Sequence, residues 1–224
     1  MELFVKKFSG DKIRNNFPAY IRRVWLKKFL IYQELVRQIR EVKGDIVELG
    51  VYRGLSLLSF AHLNEYYSKD KKRTIYGVDT FQGFPEIGPK DQAPYDLNIK
   101  HANGLSAVQY LDETRGLVNN FNKQAKNTKI ELVVGNIEQA APLLAKKKIR
   151  LAMLHFDADL YVPTKIGLQY LYPRLSKGGV AVFDEYANSE WGGETRAVDE
   201  YFKNRKEVVR KFAWHAAPTA YIVK

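Results

Sequence analysis

Residues 151–161 read LAMLHFDADLY. An apolar run, broken only by His155, ends abruptly in two carboxylates, Asp157 and Asp159. A short apolar run closed by turn-side polar residues reads as a strand buried on both faces of a parallel sheet. In open α/β sheets, ligands bind beyond the carboxyl ends of such strands. Residues 179–185, GVAVFDE, repeat the pattern and end in Asp184 and Glu185. Neighbouring strand ends would gather these carboxylates in one crevice. Like charges a few Å apart in a medium of low dielectric repel strongly, and a bound divalent cation relieves that repulsion. The alternative for carboxylates at these positions is capping of the helices that follow.

Outward from this stretch, residues 45–56 read DIVELGVYRGLS. Ile46–Leu49 is a strand, and Gly50 and Gly54 make a tight turn that opens a helix running to about Tyr67. Glycines let backbone approach a ligand, and a helix N-terminus offers unpaired N–H groups. The spacing matches neither the dinucleotide GxGxxG fingerprint nor the GxxxxGK[ST] phosphate loop. Glu48 beside the turn disfavours a phosphate and favours a cationic ligand. S-adenosyl-L-methionine, with an ammonium and a sulfonium, has that character. The next strand, Thr74–Val78, ends in Asp79, a position suited to the paired hydroxyls of an adenosine ribose, with helix capping as the alternative. A third strand, Ile130–Val134, leads to Gly135, Asn136 and Ile137, where a polar group could read an adenine edge.

Residues 17–42 carry apolar side chains at helical spacing with basic residues between them, an amphipathic helix in one or two pieces. Residues 1–44 are expected to form an N-terminal helical extension. Helices are expected over 105–125 and 138–148, from Pro163 to near Ser176, and over 195–203. The glycine- and proline-punctuated stretch 86–103 is a candidate substrate lid, in which Tyr95, Asp96, Asn98, Lys100 and His101 could face an acceptor. The tail, 208–214 and 220–223, reads as an antiparallel hairpin. The whole chain, 1–224, is expected to form one α/β domain. Its predicted architecture is a Rossmann-like, doubly wound, mostly parallel seven-stranded sheet with helices on both faces.

The 224 residues contain no cysteine, which excludes disulfides and thiolate metal sites and fits a cytoplasmic location. No apolar run approaches the ~18–20 residues that span a bilayer, and MELFVKKFSGDK has no signal-peptide core. The net charge is +11. Residues 1–44 contribute +7 of it, from eleven Lys and Arg against four Asp and Glu. No RNA-binding aromatic signature, zinc knuckle or helix-turn-helix spacing accompanies the charge. It therefore reads as a solvated basic face or as steering of an anionic substrate, rather than as a nucleic-acid site.

With these residues in hand, the chain resembles the macrocin and mycinamicin sugar O-methyltransferase family, within the class I S-adenosylmethionine-dependent methyltransferases. The matching segments are GDIVELGVYRG, YGVDTFQGFP, HFDADLYVPT, LYPRLSKGGVAVFDEY and ETRAVDEYF. ELGVYRGLS is also similar to the donor loop of catechol-type O-methyltransferases. The resemblance implies that Glu48, Gly50, Tyr52 and Ser56 hold the methionine end of the donor, Asp79 the ribose, and Asn136 with Ile137 the adenine. It implies Mg²⁺ ligands at Asp157, Asp184 and Glu185, and a general base at Asp159. Glu185 departs from the Asp or Asn usual at the last metal position. The implied activity is methyl transfer to a sugar hydroxyl of a glycoside, nucleotide sugar or glycan, with homo-oligomers common among relatives. A catechol-type phenol acceptor and a basic nucleic-acid or membrane-surface module are the competing readings. His155 reads as a buried supporting residue rather than the base.

Overall fold

The structure is a computed structural model. It describes residues 16–68, 72–83, 87–91, 107–189, 192–214 and 219–224. Most of the candidate lid, including Tyr95, Asp96, Asn98, Lys100 and His101, lies outside the described residues.

A short helix α1 (Phe17–Tyr20) and a long helix α2 (Arg23–Gln38) precede the first strand. Then β1 (Asp45–Leu49), α3 (Leu55–Tyr67), β2 (Arg73–Asp79), α4 (Ala107–Gln124), β3 (Thr128–Val134) and α5 (Ile137–Lys146) follow. The chain continues through β4 (Leu151–Phe156), α6 (Tyr161–Leu171), a 3₁₀ turn (Tyr172–Arg174), β5 (Leu175–Phe183), α7 (Gly192–Phe202) and β6 (Ala220–Val223). The strands form one sheet in the order β3-β2-β1-β4-β5-β6. All neighbours are parallel except β5 and β6. Strand order reverses between β1 and β4, so the crevice beyond their carboxyl ends is the topological switch point of the sheet.

The sheet divides the core in two. On one face Ile31, Leu35, Ile39, Phe60, Phe121, Met153 and Val182 pack together. On the other, Val47, Leu144, Leu154, Phe156, Leu168, Phe183 and Val198 do so. Every residue of β4 is buried, His155 included, as befits a strand covered on both faces. Helix α2 buries Ile31, Tyr32, Leu35 and Val36 along one stripe. Its carboxyl end is held by the buried Arg73 of β2, whose guanidinium donates to the carbonyls of Ile39 (2.8 Å), Val42 (2.6 Å) and Gly44 (2.6 Å). Ile39 is the C-cap of α2, where intrahelical donors run out, and Val42 and Gly44 lie in the turn that leads to β1.

Several expectations are corrected. The sheet has six strands among the described residues, not seven. Of the predicted hairpin, residues 208–214 contribute an isolated bridge, Arg210 to Tyr221, and β6 pairs with β5 instead. The helix expected to reach Ser176 ends at Leu171, and β5 begins at Leu175 rather than Gly179. Gly178 and Gly179 resemble a helix stop in sequence, but they lie within β5, where Gly178 takes a φ of +78°.

Candidate active site

Strand register assembles the site. Phe156 of β4 stands opposite Phe183 of β5, so Asp157 and Asp184 leave adjacent strand ends together. The Asp157 amide donates to the Leu49 carbonyl at 2.8 Å, and the Asp184 amide to the Phe156 carbonyl at 3.0 Å. These bonds carry the ladder one residue past each strand and fix where both carboxylates start. The Asp159 backbone has a φ of +62°, a left-handed conformation uncommon outside glycine.

Gly50 follows β1 at a φ of +94°, and a Cβ built on it would meet the Asp157 carbonyl oxygen at 2.0 Å. Only glycine fits both that φ and that approach. The turn beyond it is clamped by Asp79, whose Oδ2 accepts from the amides of Val51 (2.7 Å) and Tyr52 (2.8 Å). Its Oδ1 accepts from the Phe81 amide at 2.7 Å. These amides precede the Gly54 N-cap of α3, so Asp79 holds the turn and does not cap the helix. Oδ1 keeps a further lone pair for a second donor, whereas Oδ2 already accepts two. Asn136 caps α5, its Oδ1 accepting from the Glu138 amide at 2.8 Å, and Ile137 beside it is buried.

Beneath the turn, Glu48 and His155 are fully buried and face each other from β1 and β4, with Oε1 and Nδ1 3.0 Å apart. Tyr32 and Phe60 pack edge-on against the His155 ring. Burial pushes the Glu48 carboxyl up, against the downward pull of His155 and a Ser56 hydrogen bond. Glu48 Oε2 has no hydrogen-bond partner. An unpartnered buried carboxylate oxygen is costly unless a donor reaches it. Among the described residues, ligand atoms of Glu48, His155 and Asp157 all lie within 4.8 Å of one another.

The carboxylates at the ends of β4 and β5 shape each other's chemistry. Burial raises the Asp157 carboxyl well above its usual range, reinforced by Asp184 and Asp159 and opposed by Lys28. Burial, then Glu185 and Asp184, push Asp159 up to about 7. Asp184 is fully buried, with Oδ1 accepting from the Thr219 hydroxyl at 3.3 Å and Oδ2 from the Lys28 ammonium. Asn188 donates to Glu185 Oε2.

Sequence reasoning missed three residues of this cluster. Lys28 of α2 enters from a helix read only as amphipathic. Burial alone would lower its pKa, but Asp184, Asp157 and Glu185 together raise it. Glu194 of α7 is fully buried, and its Oε1 accepts from the Glu185 amide at 2.9 Å. Its carboxyl is driven well up by burial and by Asp159. Asp91 accepts from the Tyr161 amide at 2.6 Å and so caps α6 just past Asp159. Glu194 lay within a quoted motif, so its charge was a usable signal. Lys28 and Asp91 act across 156 and 70 residues and left none. Beside Asn188, an open cleft of about 650 Å³ is lined by Lys90, Ser189, Thr195, Arg196, Asp199 and Glu200 among others. Among the described residues, no helix is long and apolar enough to cross a membrane.

The chain is similar to 8-demethyl-8-(2,3-dimethoxy-alpha-L-rhamnosyl)-tetracenomycin-C 4'-O-methyltransferase of Streptomyces olivaceus, at 32% identity over 65% of this chain and 54% of that one. It is similar to mycinamicin III 3''-O-methyltransferase of Micromonospora griseorubida, at 34% identity over 65% of this chain and 56% of that one. The chain thus spans about half the length of these curated relatives. The crystal structure of the calicheamicin methyltransferase CalS11 superposes with a TM-score of 0.81 at 30% identity, covering 97% of this chain and 86% of that one. Residues 23–217 match the macrocin-O-methyltransferase (TylF) family, to which this chain therefore belongs.

Proposed function

We propose that the protein is an S-adenosyl-L-methionine- and Mg²⁺-dependent O-methyltransferase acting on a sugar hydroxyl of a glycoside, nucleotide sugar or glycan. The observation that carries the reading is the junction of two features at the switch point. A glycine-lined turn with an unpartnered buried Glu48 oxygen sits beside a crowd of strand-end carboxylates that includes Asp159, pushed up to about 7.

The turn fits the methyl donor. Glu48 offers a carboxylate oxygen to an ammonium, with Tyr52 and Ser56 around it. Asp79 keeps a lone pair on Oδ1 for a ribose hydroxyl, and Asn136 with Ile137 borders the adenine position. The acids of β4 and β5 fit a hard dication, for they present only oxygen donors in a chain without thiols. Asp157, Asp184 and Glu185 would hold Mg²⁺, which, when bound, lowers the cost of developing alkoxide charge and orients neighbouring hydroxyls. Asp159 then serves as general base. A carboxyl with a pKa near the working pH exchanges a proton with a hydroxyl most effectively, and the cap from Asp91 at Tyr161 steadies the turn that presents it. Glu194 fixes the Glu185 backbone through its amide. The acceptor lies on the side of the polar cleft between Lys90 and α7, whose amide, hydroxyl and charged groups suit a polyhydroxylated ring. The names of the relatives support a sugar acceptor: one carries a rhamnosyl group in its substrate, and CalS11 is a TDP-rhamnose 3'-O-methyltransferase.

The test is calorimetry with S-adenosylhomocysteine followed by mass spectrometry of an acceptor panel of glycosides, nucleotide sugars and catechols. The reading expects donor-product binding and gain of one methyl group on a sugar. Methylation of catechols alone would favour the phenol reading. Absence of donor-product binding would refute the methyltransferase.

A further inference from the structure

Helix α2 is attached to the body in two different ways. Its carboxyl-terminal half is built into the core through Ile31, Tyr32, Leu35 and Val36, and its end is clasped by Arg73. Its amino-terminal half leaves Val24, Trp25, Leu26, Phe29 and Leu30 substantially exposed. From that half, Lys28 reaches into the crevice and bonds Asp184, whose side chain is wholly buried. The same lysine senses Asp157 and Glu185 electrostatically.

The acids that would hold a dication already have a cation among them. Asp184 has both oxygens engaged, one by Lys28 and the other by Thr219. Unlike a water ligand, an ammonium cannot share a carboxylate oxygen with a dication cheaply, because the two positive charges would stand a few Å apart in a buried place. Losing that attachment leaves the front of α2 with few buried apolar contacts, the condition under which a segment opens locally.

We propose that Lys28 is the resident cation of the acidic crevice, that Mg²⁺ must expel it from Asp184 to bind, and that metal entry thereby unseats the front of α2. The inference rests on the metal reading given above. It makes α2 a reporter of metal occupancy, with the core-packed half as its fixed end. Trp25 lies one helical turn from Lys28, its ring 5.8 Å from the ammonium, so its surroundings change when the lysine leaves.

The experiment uses the full chain and Mg²⁺ alone, at one fixed pH. Calorimetry compares the native protein with Lys28→Met, which keeps an unbranched stem of similar length and removes the charge. At least a ten-fold tighter Mg²⁺ affinity is expected in the variant. In parallel, Mg²⁺ is titrated into the native protein while tryptophan emission is recorded, with Trp25→Phe identifying the part due to Trp25. A saturable change that follows the calorimetric isotherm, and that disappears in Trp25→Phe, is expected. The emission titration needs no Lys28 variant, so it decides the matter even if Lys28→Met does not fold. Equal affinity in the two proteins, or a Trp25 signal that Mg²⁺ leaves unmoved, overturns the competition while leaving the metal reading intact. Absence of Mg²⁺ binding in both proteins overturns the metal reading and the competition together.

Discussion

Glu48 and His155 are register partners on β1 and β4, and their side chains meet at 3.0 Å in a place that water does not reach. The pair lies directly below the turn that would hold the donor. It links the stability of the central strands to the shape of the site, because whichever member is removed leaves the other buried without its partner.

His155→Leu should therefore destabilise the protein by about 3 kcal/mol, the usual scale for breaking a buried pair. Glu48→Gln keeps the shape and a hydrogen-bonding oxygen. It should cost less stability but weaken S-adenosylhomocysteine binding at least ten-fold. Urea denaturation and calorimetry on the two variants separate these roles. Equal donor-product affinity in Glu48→Gln and the native protein would remove Glu48 from the donor site.

Gly50→Ala should be the most damaging small substitution in the turn. Its φ of +94° strains an alanine, and the new Cβ would sit 2.0 Å from the Asp157 carbonyl oxygen, which is backbone and cannot swing aside. A loss of about 2 kcal/mol or more is expected from such backbone conflicts. The neighbouring Gly54→Ala meets nothing closer than the Thr114 methyl at 3.4 Å and carries only the cost of its φ of +79°. Denaturant midpoints should rank native above Gly54→Ala above Gly50→Ala.

Asp159 makes a prediction whose sign is fixed. Its carboxyl titrates near 7 in the folded chain against an ordinary 3.8. Between those values the folded state holds a proton that the unfolded chain releases, so this group's contribution to stability is full below about 4 and is lost as pH rises through about 7. Asp159→Asn cannot ionise. Measured without metal, its melting temperature relative to the native protein should rise across that window and level off above it. Turnover at saturating substrate should fall by about 10²–10⁴-fold, the usual worth of a positioned base. A flat difference in melting temperature between pH 4 and 8 would contradict the environment described for Asp159.

Glu194→Gln and Glu194→Ala should part company. Burial and Asp159 push this carboxyl well up, which disfavours its charged form, and glutamine is neutral with the same shape and keeps an acceptor for the Glu185 amide. Alanine leaves that amide without its partner, at a cost of about 1–3 kcal/mol. Thermal unfolding near neutral pH should find glutamine close to the native protein and alanine well below it.

Much of this was legible in the sequence for a local reason. Strands β1, β2, β4 and the core of β5 are apolar runs stopped by a carboxylate or glycine, and a sheet buried on both faces leaves no other pattern. Asp157, Asp184 and Glu185 could be placed at neighbouring strand ends because position along a run sets position at an edge. The beginning of β5 was misread because Gly178 and Gly179 resemble punctuation, although they lie within the strand. The predicted seventh strand failed because residues 208–214 suit an edge but pair through one bridge only. Lys28 was illegible, since nothing in an amphipathic stripe says that one of its lysines enters an acidic crevice 156 residues further on.

The central claim is that the acids ending β4 and β5 work together, through one hard dication, on a hydroxyl awaiting a methyl group. Its most direct test is methyl transfer to a competent sugar acceptor, followed by mass spectrometry, with Mg²⁺ and then with excess chelator, in the native protein and in Asp157→Asn. The account predicts turnover that chelator abolishes and added Mg²⁺ restores, with S-adenosylhomocysteine binding largely spared, and an Asp157→Asn protein that Mg²⁺ cannot rescue. Full methylation in excess chelator, or an unimpaired Asp157→Asn enzyme, would contradict it.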